Sequence, residues 1–341
     1  MKIISLVGAF SVISLMMGCA SADHSAALAL GTAGVTATQA LTDQTTSARQ
    51  SLNQLTPLWG VREALVCTNV KAELRPGCLK GATASADPAV APKLAQISDV
   101  LAKRKQALSS LNQAYAAYVD LAKYNAGQEA ASALATSFTK VNSFLGAASA
   151  LAPGGAAIAP ISTSVENVAG GVVALAADSQ QNRQLLAASK DLHVANDAMV
   201  KGLTVERDAT ASLLVVLQGE RAALGTAALK AGLLTPMDVL TPILTQAYPD
   251  AHIATPPDGN ADVIMAAANN ALASQRQSAV VSAPKSYDDA LAALTALSAQ
   301  HQKFETNQHL DLAQVEAEIA NLQADIALMT PAAAAPKPAA K

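Results

Sequence analysis

The sequence KSYDDALAALTALSAQHQKFETNQHLDLAQVEAEIANLQADIALM (residues 285–329) carries the most regular hydrophobic pattern in the chain. Its apolar or bulky side chains recur in alternating steps of three and four residues, which is the spacing of one face of an α-helix. At Phe304, Gln308 and Leu312 two steps of four follow each other, which predicts a stutter within one long helix. The stripe comprises Tyr287, Ala290, Leu294, Leu297, His301, Phe304, Gln308, Leu312, Val315, Ile319, Leu322, Ile326 and Met329.

Other segments have the same helical spacing. Residues 94–122 carry an apolar seam that only Arg104 interrupts, and residues 178–230 predict another long helix. These patterns together predict an all-α fold, an elongated antiparallel helical bundle with long coiled-coil-like helices. Further helices are predicted over residues 22–56, 58–70, 128–151, 236–247 and 261–281.

Prolines and glycines predict where these helices end. Pro57 is expected to kink or end the first helix, and Gly232 is expected to stop the long helix before it. Three prolines and two glycines over residues 75–92 predict a loop. Pro284 is expected to separate the last two helices.

Composition favours closely packed helices. The chain has 341 residues and is 51% hydrophobic but only 3% aromatic, and alanine is its most frequent apolar residue. Alanine has the highest helix propensity, whereas a β-sandwich needs more β-branched and aromatic residues. The formal net charge of −3 gives no electrostatic basis for binding nucleic acid.

The N-terminal residues form a separate unit. Residues 3–17 contain no charged side chain, a length that is too short to span a bilayer comfortably and suits the core of a signal peptide. The segment LMMGCAS (residues 15–21) resembles the lipobox of bacterial lipoproteins. The resemblance implies cleavage after residue 18 and acylation of Cys19, for example with palmitate. It also implies sorting to the outer membrane, facing the periplasm or the cell surface, because residue 20 is not aspartate.

Two other interpretations of this segment remain open, an ordinary signal peptide with a chance cysteine and an uncut anchor. The domain prediction is a lipoprotein signal peptide over 1–18, a helical bundle domain over 19–330 and a disordered Ala/Pro/Lys tail over 331–341.

The cysteine count agrees with an exported protein. If Cys19 carries lipid, Cys67 and Cys78 remain as an even pair in an oxidising compartment. The sequence between them includes Arg75-Pro76-Gly77, which favours a turn, so we predict a disulfide. Two free thiols are the alternative. A metal site is not predicted, because no second Cys or His pair lies at zinc-like spacing.

The segment SFLGAASALAPGGAAIAPISTSVENVAGGVVALAA (residues 143–177) contains one ionisable side chain and is split by a Pro-Gly-Gly turn. It predicts either a helix–turn–helix at the end of the bundle or a membrane-active hairpin. The second interpretation has a loose similarity of pattern to helical pore-forming toxins, although alanine and glycine insert poorly into membranes. Its candidate residues are Gly146, Pro153, Gly154, Gly155, Glu166, Gly170 and Gly171.

No motif in the sequence predicts catalysis. HExxH, CxxC, EF-hand, phosphate-loop and nucleophile-elbow patterns are all missing from it, and we predict no cofactor. His301 is expected to be a partly buried packing residue, and Glu206 and Glu220 to be exposed or to bridge helices. We therefore expect a non-enzymatic envelope protein that binds the membrane through its lipid and engages a protein partner or a second copy.

Overall fold

The computed structural model describes residues 20–82, 90–123, 127–152, 157–161, 177–254 and 259–329. These residues are helical apart from turns and connections, and none of them forms a β-strand. The all-α prediction is therefore confirmed. The α-helices are α1 (Ala20–Asn53), α2 (Leu55–Val66), α3 (Arg75–Ala82), α4 (Ala91–Lys123), α5 (Gly127–Ser149), α6 (Ala177–Lys230), α7 (Pro236–Ala247), α8 (Ala261–Glu305) and α9 (Leu312–Met329).

Hydrogen bonds between α1 and α4 show that these helices are antiparallel. His24 donates from Nδ1 to the carbonyl oxygen of Ala122 over 3.0 Å. Asn112 donates to the carbonyl oxygen of Val35 over 2.9 Å. Residue numbers therefore increase along α1 in the direction in which they decrease along α4.

The remaining long helices continue this alternation. Gln181 of α6 donates to the carbonyl oxygen of Leu121 at the end of α4. Gln96 near the start of α4 donates to the carbonyl oxygen of Ala150 just after α5. Helices α4 and α8 thus run opposite to α1, α5, α6 and α9. Helices α5 and α6 also contact each other, with Gly127 beside Gln184 and Phe144 beside Gly202, and they run in the same direction, so the prediction of antiparallel neighbours holds only in part. The 54 residues of α6 give it a length of about 80 Å.

Small residues bring the helices close together around one large core. A Cβ atom at Gly34 of α1 would overlap the ring of Tyr115, and one at Gly202 of α6 would overlap the ring of Phe144. Both aromatic side chains are fully buried. Glycine at these two positions therefore provides the space that an aromatic ring fills, which compensates for its low helix propensity.

The end of α6 matches the sequence prediction. Gly232 has φ +70°, and the amide of Leu233 donates to the carbonyl oxygen of Ala228, as in a glycine-terminated helix end. The next helix starts with a capping box, in which the Thr235 side chain and Asp238 exchange hydrogen bonds with each other's backbone amides.

The loop predicted over residues 75–92 is wrong in part. Its first portion forms α3, and its last residues begin α4, while residues 83–89 lie outside the described chain. Pro76 and Pro92 each stand at the second position of a helix, and Pro57 stands at the third position of α2. Proline is compatible with a first turn, where the amide needs no helical partner, so Pro76 and Pro92 lie in helices rather than in a loop. The interruption predicted at Pro57 is present three residues earlier, because α1 ends at Asn53 and α2 begins at Leu55.

The helix boundary predicted at Pro284 is also wrong, because α8 passes through this residue without interruption. An interior proline costs a helix about 3 kcal/mol. Packing on α6 holds α8 on both sides of the proline. On one side Leu272 lies against Gly225, and on the other Tyr287 is fully buried.

The single helix predicted over 285–329 is instead two antiparallel helices. The chain turns between Glu305 and Leu312, where Asn307 adopts φ +54° and the Gln308 amide donates to the carbonyl oxygen of Lys303. The irregular step read as a stutter is therefore the turn of a helical hairpin. Asparagine tolerates this left-handed conformation better than most residues do.

The apolar middle of the chain does not continue as a second helical arm immediately after α5. Residues 157–161 have no regular secondary structure, and Ile158 and Ile161 pack against the main core. The Ile161 amide donates to Asn142 Oδ1 over 2.7 Å, and the Ile158 amide donates to Ser149 Oγ over 2.9 Å. In the part of the chain that is described, no helix has the length and apolarity needed to cross a bilayer.

Candidate functional site

The predicted disulfide is present. Cys67 and Cys78 are bonded, with their Cα atoms 5.8 Å apart, and they join the turn after α2 to α3. Cys67 is buried at 2% exposure. The predicted lipidation site, Cys19, lies outside the described residues, and α1 begins at the residue that follows it.

Of the seven predicted hairpin residues, only Gly146 lies within the described chain. Gly146 lies on an exposed side of α5, where an added Cβ would meet no neighbour within 4 Å. It therefore does not serve close helix contact in this structure. The other six candidates, Pro153, Gly154, Gly155, Glu166, Gly170 and Gly171, lie outside the described residues.

A buried ion pair crosses the middle of the bundle. Arg104 of α4 donates from Nη1 to Oε1 of Glu206 of α6 over 2.7 Å, and both side chains are 0% exposed. Tyr287 of α8 donates its hydroxyl proton to the same carboxylate oxygen over 2.8 Å. The guanidinium carbon lies 5.2 Å from the centre of the Tyr287 ring, and Gln44 of α1 accepts a further hydrogen bond from Arg104. We call these four residues the arginine layer.

The arginine layer holds two charges in a dry environment. Burial acts to lower the pKa of Arg104, but attraction to Glu206 and Tyr287 outweighs burial and the pKa is raised. Burial, followed by the charge of Glu206, raises the pKa of Tyr287 above its ordinary value. The guanidinium and the phenol therefore keep their protons at any pH that a living cell meets. Of the two predicted alternatives for Glu206, exposure or a bridge between helices, the structure shows the bridge, with the side chain fully buried.

A second polar layer lies nearer the start of α1 and is centred on His301. The hydroxyl of Tyr115 lies 2.8 Å from His301 Nε2, and Ser189 Oγ lies 2.8 Å from Nδ1. Asn196 donates to the Tyr115 hydroxyl over 2.6 Å. All four residues are fully buried. We call them the histidine layer.

The histidine layer contains a hydroxyl next to an imidazole but is not arranged for catalysis. Burial, and then the charge of His193, lowers the pKa of His301 to about 3, so the ring is neutral. Nucleophilic catalysis needs a group that a substrate can reach, whereas both hydroxyl partners are sealed inside the bundle. The layer joins α4, α6 and α8, and its role is to position these helices. The packing role predicted for His301 is confirmed, with full rather than partial burial.

The bundle becomes thinner at the end away from the start of α1. There α6, α7 and α8 share a small core with only three buried apolar residues among those described, Leu229, Ala268 and Leu272. Helix α7 itself has no buried residue. Large apolar side chains around it are exposed, including Leu233 at 66%, and Tyr248 and Val263 at 63% each. This end of the described chain therefore presents several exposed large apolar side chains close together in sequence.

Sequence reasoning missed the pairing within both layers. Arg104 was visible as the one interruption of an apolar seam, which is a usable signal for a buried charge that needs a partner. The partner lies 102 residues away on α6, and no local pattern links the two positions. Among the described residues no group of three or more His, Cys, Asp or Glu side chains is placed to hold a metal ion.

Comparison of the chain with known protein families, with curated proteins and with solved structures finds no match.

Proposed function

We propose that this chain is a lipid-anchored helical protein of the bacterial cell envelope, held in the outer membrane by Cys19 and serving a structural or protein-interaction role without enzymatic activity. The lipobox-like segment at residues 15–21 supports the anchor. The first helix begins at Ala20, so the anchor would join the bundle with no linker between them.

The observation that carries the proposal is the pairing of Cys67 with Cys78. Disulfides persist in oxidising compartments such as the periplasm and are rare in the bacterial cytosol. Pairing these two residues leaves Cys19 as the one remaining cysteine of three, at the position where a lipoprotein carries its acyl chains.

The shape of the bundle supports an interaction role at a distance from the membrane. The start of α6 lies beside the end of α4, which also contacts the start of α1. Helix α6 then runs for about 80 Å to its end at Lys230. A chain anchored at Cys19 therefore presents α7 and the exposed apolar side chains around it far from the lipid surface. The sealed histidine layer, which offers no substrate access, supports the non-enzymatic part of the proposal.

Metabolic labelling with a palmitate analogue tests the anchor. The full chain should incorporate the label and fractionate with the outer membrane, and its mature N-terminus should be an acylated Cys19. The Cys19→Ala variant should lose the label. The matched control, Cys67→Ala with Cys78→Ala, should keep it, because those two residues are bonded to each other. An unlabelled wild-type protein whose mature N-terminus begins elsewhere would refute the anchor.

Site-specific photocrosslinking in cells tests the interaction role. A photoreactive residue at Leu233 or Tyr248 should give discrete crosslinked species. The matched control is Val194, which is also apolar and 42% exposed but lies on the flank of α6 nearer the anchor. Equal crosslinking at all three positions would contradict an interaction surface at the far end.

A further inference from the structure

The disulfide-bonded segment is basic and partly apolar on its surface. Residues 67–82, which we call the basic clip, contain Lys71, Arg75 and Lys80 against a single carboxylate, that of Glu73. Within it Leu74 is 63% exposed and Leu79 is 45% exposed. The clip therefore presents large apolar side chains among positive charges, next to a disulfide that limits its motion.

The segment around α7 has the opposite charge and a similar apolar character. We call residues 231–254 and 259–263 the acidic arm. It contains Asp238, Asp250 and Asp262, and the sequence has no Lys or Arg anywhere from 231 to 275. The exposed apolar side chains Leu233, Tyr248 and Val263 belong to this arm.

Both surfaces lie at the same end of the bundle. Helix α2, which leads into the clip, is joined to α6 by an ion pair of 2.7 Å between Arg62 and Glu220. Glu220 lies ten residues before the end of α6 at Lys230, about 15 Å along the helix, and the arm begins there. Within one molecule α3 packs on α2, whereas α7 packs on α8. The clip and the arm are thus carried by different helices, at similar positions along the long axis of the bundle.

We propose that a second copy of this chain covers these surfaces, with the basic clip of each copy docked on the acidic arm of the other. A two-fold symmetric pair makes this contact twice. Pairing arm with arm would place carboxylates against carboxylates, and the same carboxylates disfavour docking of the arm on an anionic lipid surface. The apolar side chains supply burial and the opposite charges select the pairing.

This inference names the partner for the proposed interaction role and rests on that role. Two copies anchored in one membrane would stand side by side, so clip and arm at the same height would meet when the two-fold axis is perpendicular to the membrane. The pairing itself does not need the anchor. A test on protein without acyl chains therefore separates failure of the pairing from failure of the lipid attachment.

The test is a charge swap on the full chain carrying Cys19→Ala, purified in a mild detergent and weighed by light scattering and native mass spectrometry. The parent should be a concentration-dependent dimer. Lys71→Glu with Lys80→Glu makes clip and arm both acidic, and Asp250→Lys with Asp262→Lys places two positive charges on the arm in place of two negative ones. Each double variant alone should dimerise about tenfold or more weakly, and a mixture of the two should restore the pairing as a heterodimer.

A second set of variants does not depend on the charged residues. Leu233→Ser with Tyr248→Ser removes exposed apolar side chains and should weaken the dimer, whereas Val194→Ser should leave it unchanged. Reduction of the disulfide should also weaken the dimer by loosening the clip. A parent that stays monomeric at every concentration would overturn the proposal. A dimer whose affinity is unchanged by both sets of variants would also overturn the proposal. So would charge-swapped variants that fail to form a heterodimer on mixing.

Discussion

The buried ion pair of the arginine layer gives the most decisive stability prediction. Glu206→Gln keeps the size of the side chain and removes its charge, so the guanidinium of Arg104 stays buried without a counter-charge. Both side chains are 0% exposed and the two groups are 2.7 Å apart, so the remaining charge has no route to solvent. Loss of one partner from a buried pair costs about 3–5 kcal/mol of the free energy of unfolding.

Thermal and urea unfolding followed by circular dichroism measure this loss. For a folded region of roughly 300 residues the entropy of unfolding near the midpoint is about 0.6 kcal/mol/K, so the midpoint should fall by about 5–8 °C. The matched control is Arg207→Ala, whose ion pair with Asp288 is exposed to solvent. That variant should lose less than about 1 kcal/mol.

Replacing the whole pair by apolar side chains distinguishes the cost of an unpaired buried charge from the cost of altered packing. The triple variant Arg104→Met, Glu206→Leu, Tyr287→Phe removes both charges and the hydroxyl that donates to the carboxylate. It should be within about 2 kcal/mol of the wild type, because replacing a buried pair by apolar groups is often neutral. If Glu206→Gln costs no more than Arg207→Ala, or the triple variant is as unstable as Glu206→Gln, the reasoning from a dry, paired charge is refuted.

Three further predictions follow from single features. The pKa of His301 is lowered to about 3, below its unfolded value near 6.5. Below about pH 6.5 the unfolded chain binds a proton at this residue that the folded chain does not bind. The free energy of unfolding is therefore highest above about pH 6.5 and decreases as the pH falls towards 3. Between pH 7 and 4.5 the wild type should lose about 2–3 kcal/mol more than His301→Gln in urea titrations, and parallel curves would contradict this. Reduction of the Cys67–Cys78 bond should speed tryptic cleavage between the two residues, because the bond lowers the conformational entropy of the unfolded segment, which contributes about 3 kcal/mol at 25 °C. An unchanged cleavage rate would show that other contacts hold the clip. Gly34→Leu, which overlaps a buried tyrosine ring, should destabilise the bundle by about 1–3 kcal/mol, whereas Gly146→Ala on an open helix surface should stabilise it by up to about 1 kcal/mol in the same unfolding assay.

Local patterns predicted the helices well and their boundaries less well. Periodicity identified the apolar faces of α4, α6 and α8, because a helix that packs on one side must repeat its apolar side chains every three to four residues. Proline was the main source of error. Pro76 stands in a first turn, where it is favoured, and Pro284 lies inside a helix that packing on both sides maintains. The effect of a proline depends on its position within the helix, which the sequence alone does not fix.

The turn between α8 and α9 was missed for a related reason. A hairpin and a stutter both change the spacing of an apolar stripe by about one residue, so Phe304, Gln308 and Leu312 fit either interpretation. The difference depends on tertiary contacts. The amide of Asp311 donates to Gln300 Oε1 over 2.7 Å, and this bond fastens the turn to α8. Such a contact between a turn and the helix before it cannot be read from hydrophobic spacing.

The two polar layers favour one position of each helix along its neighbour, although the apolar side chains between the helices are mostly alanine and leucine. A stripe of alanine and leucine looks nearly the same after a shift of seven residues, which moves one helix about 10 Å along its neighbour. That shift of α6 along α4 would separate Arg104 from Glu206 and Tyr115 from Asn196 together, leaving charges and hydroxyls without partners in the core. Because unpaired buried groups are costly, we expect the observed register to be more stable than the shifted one.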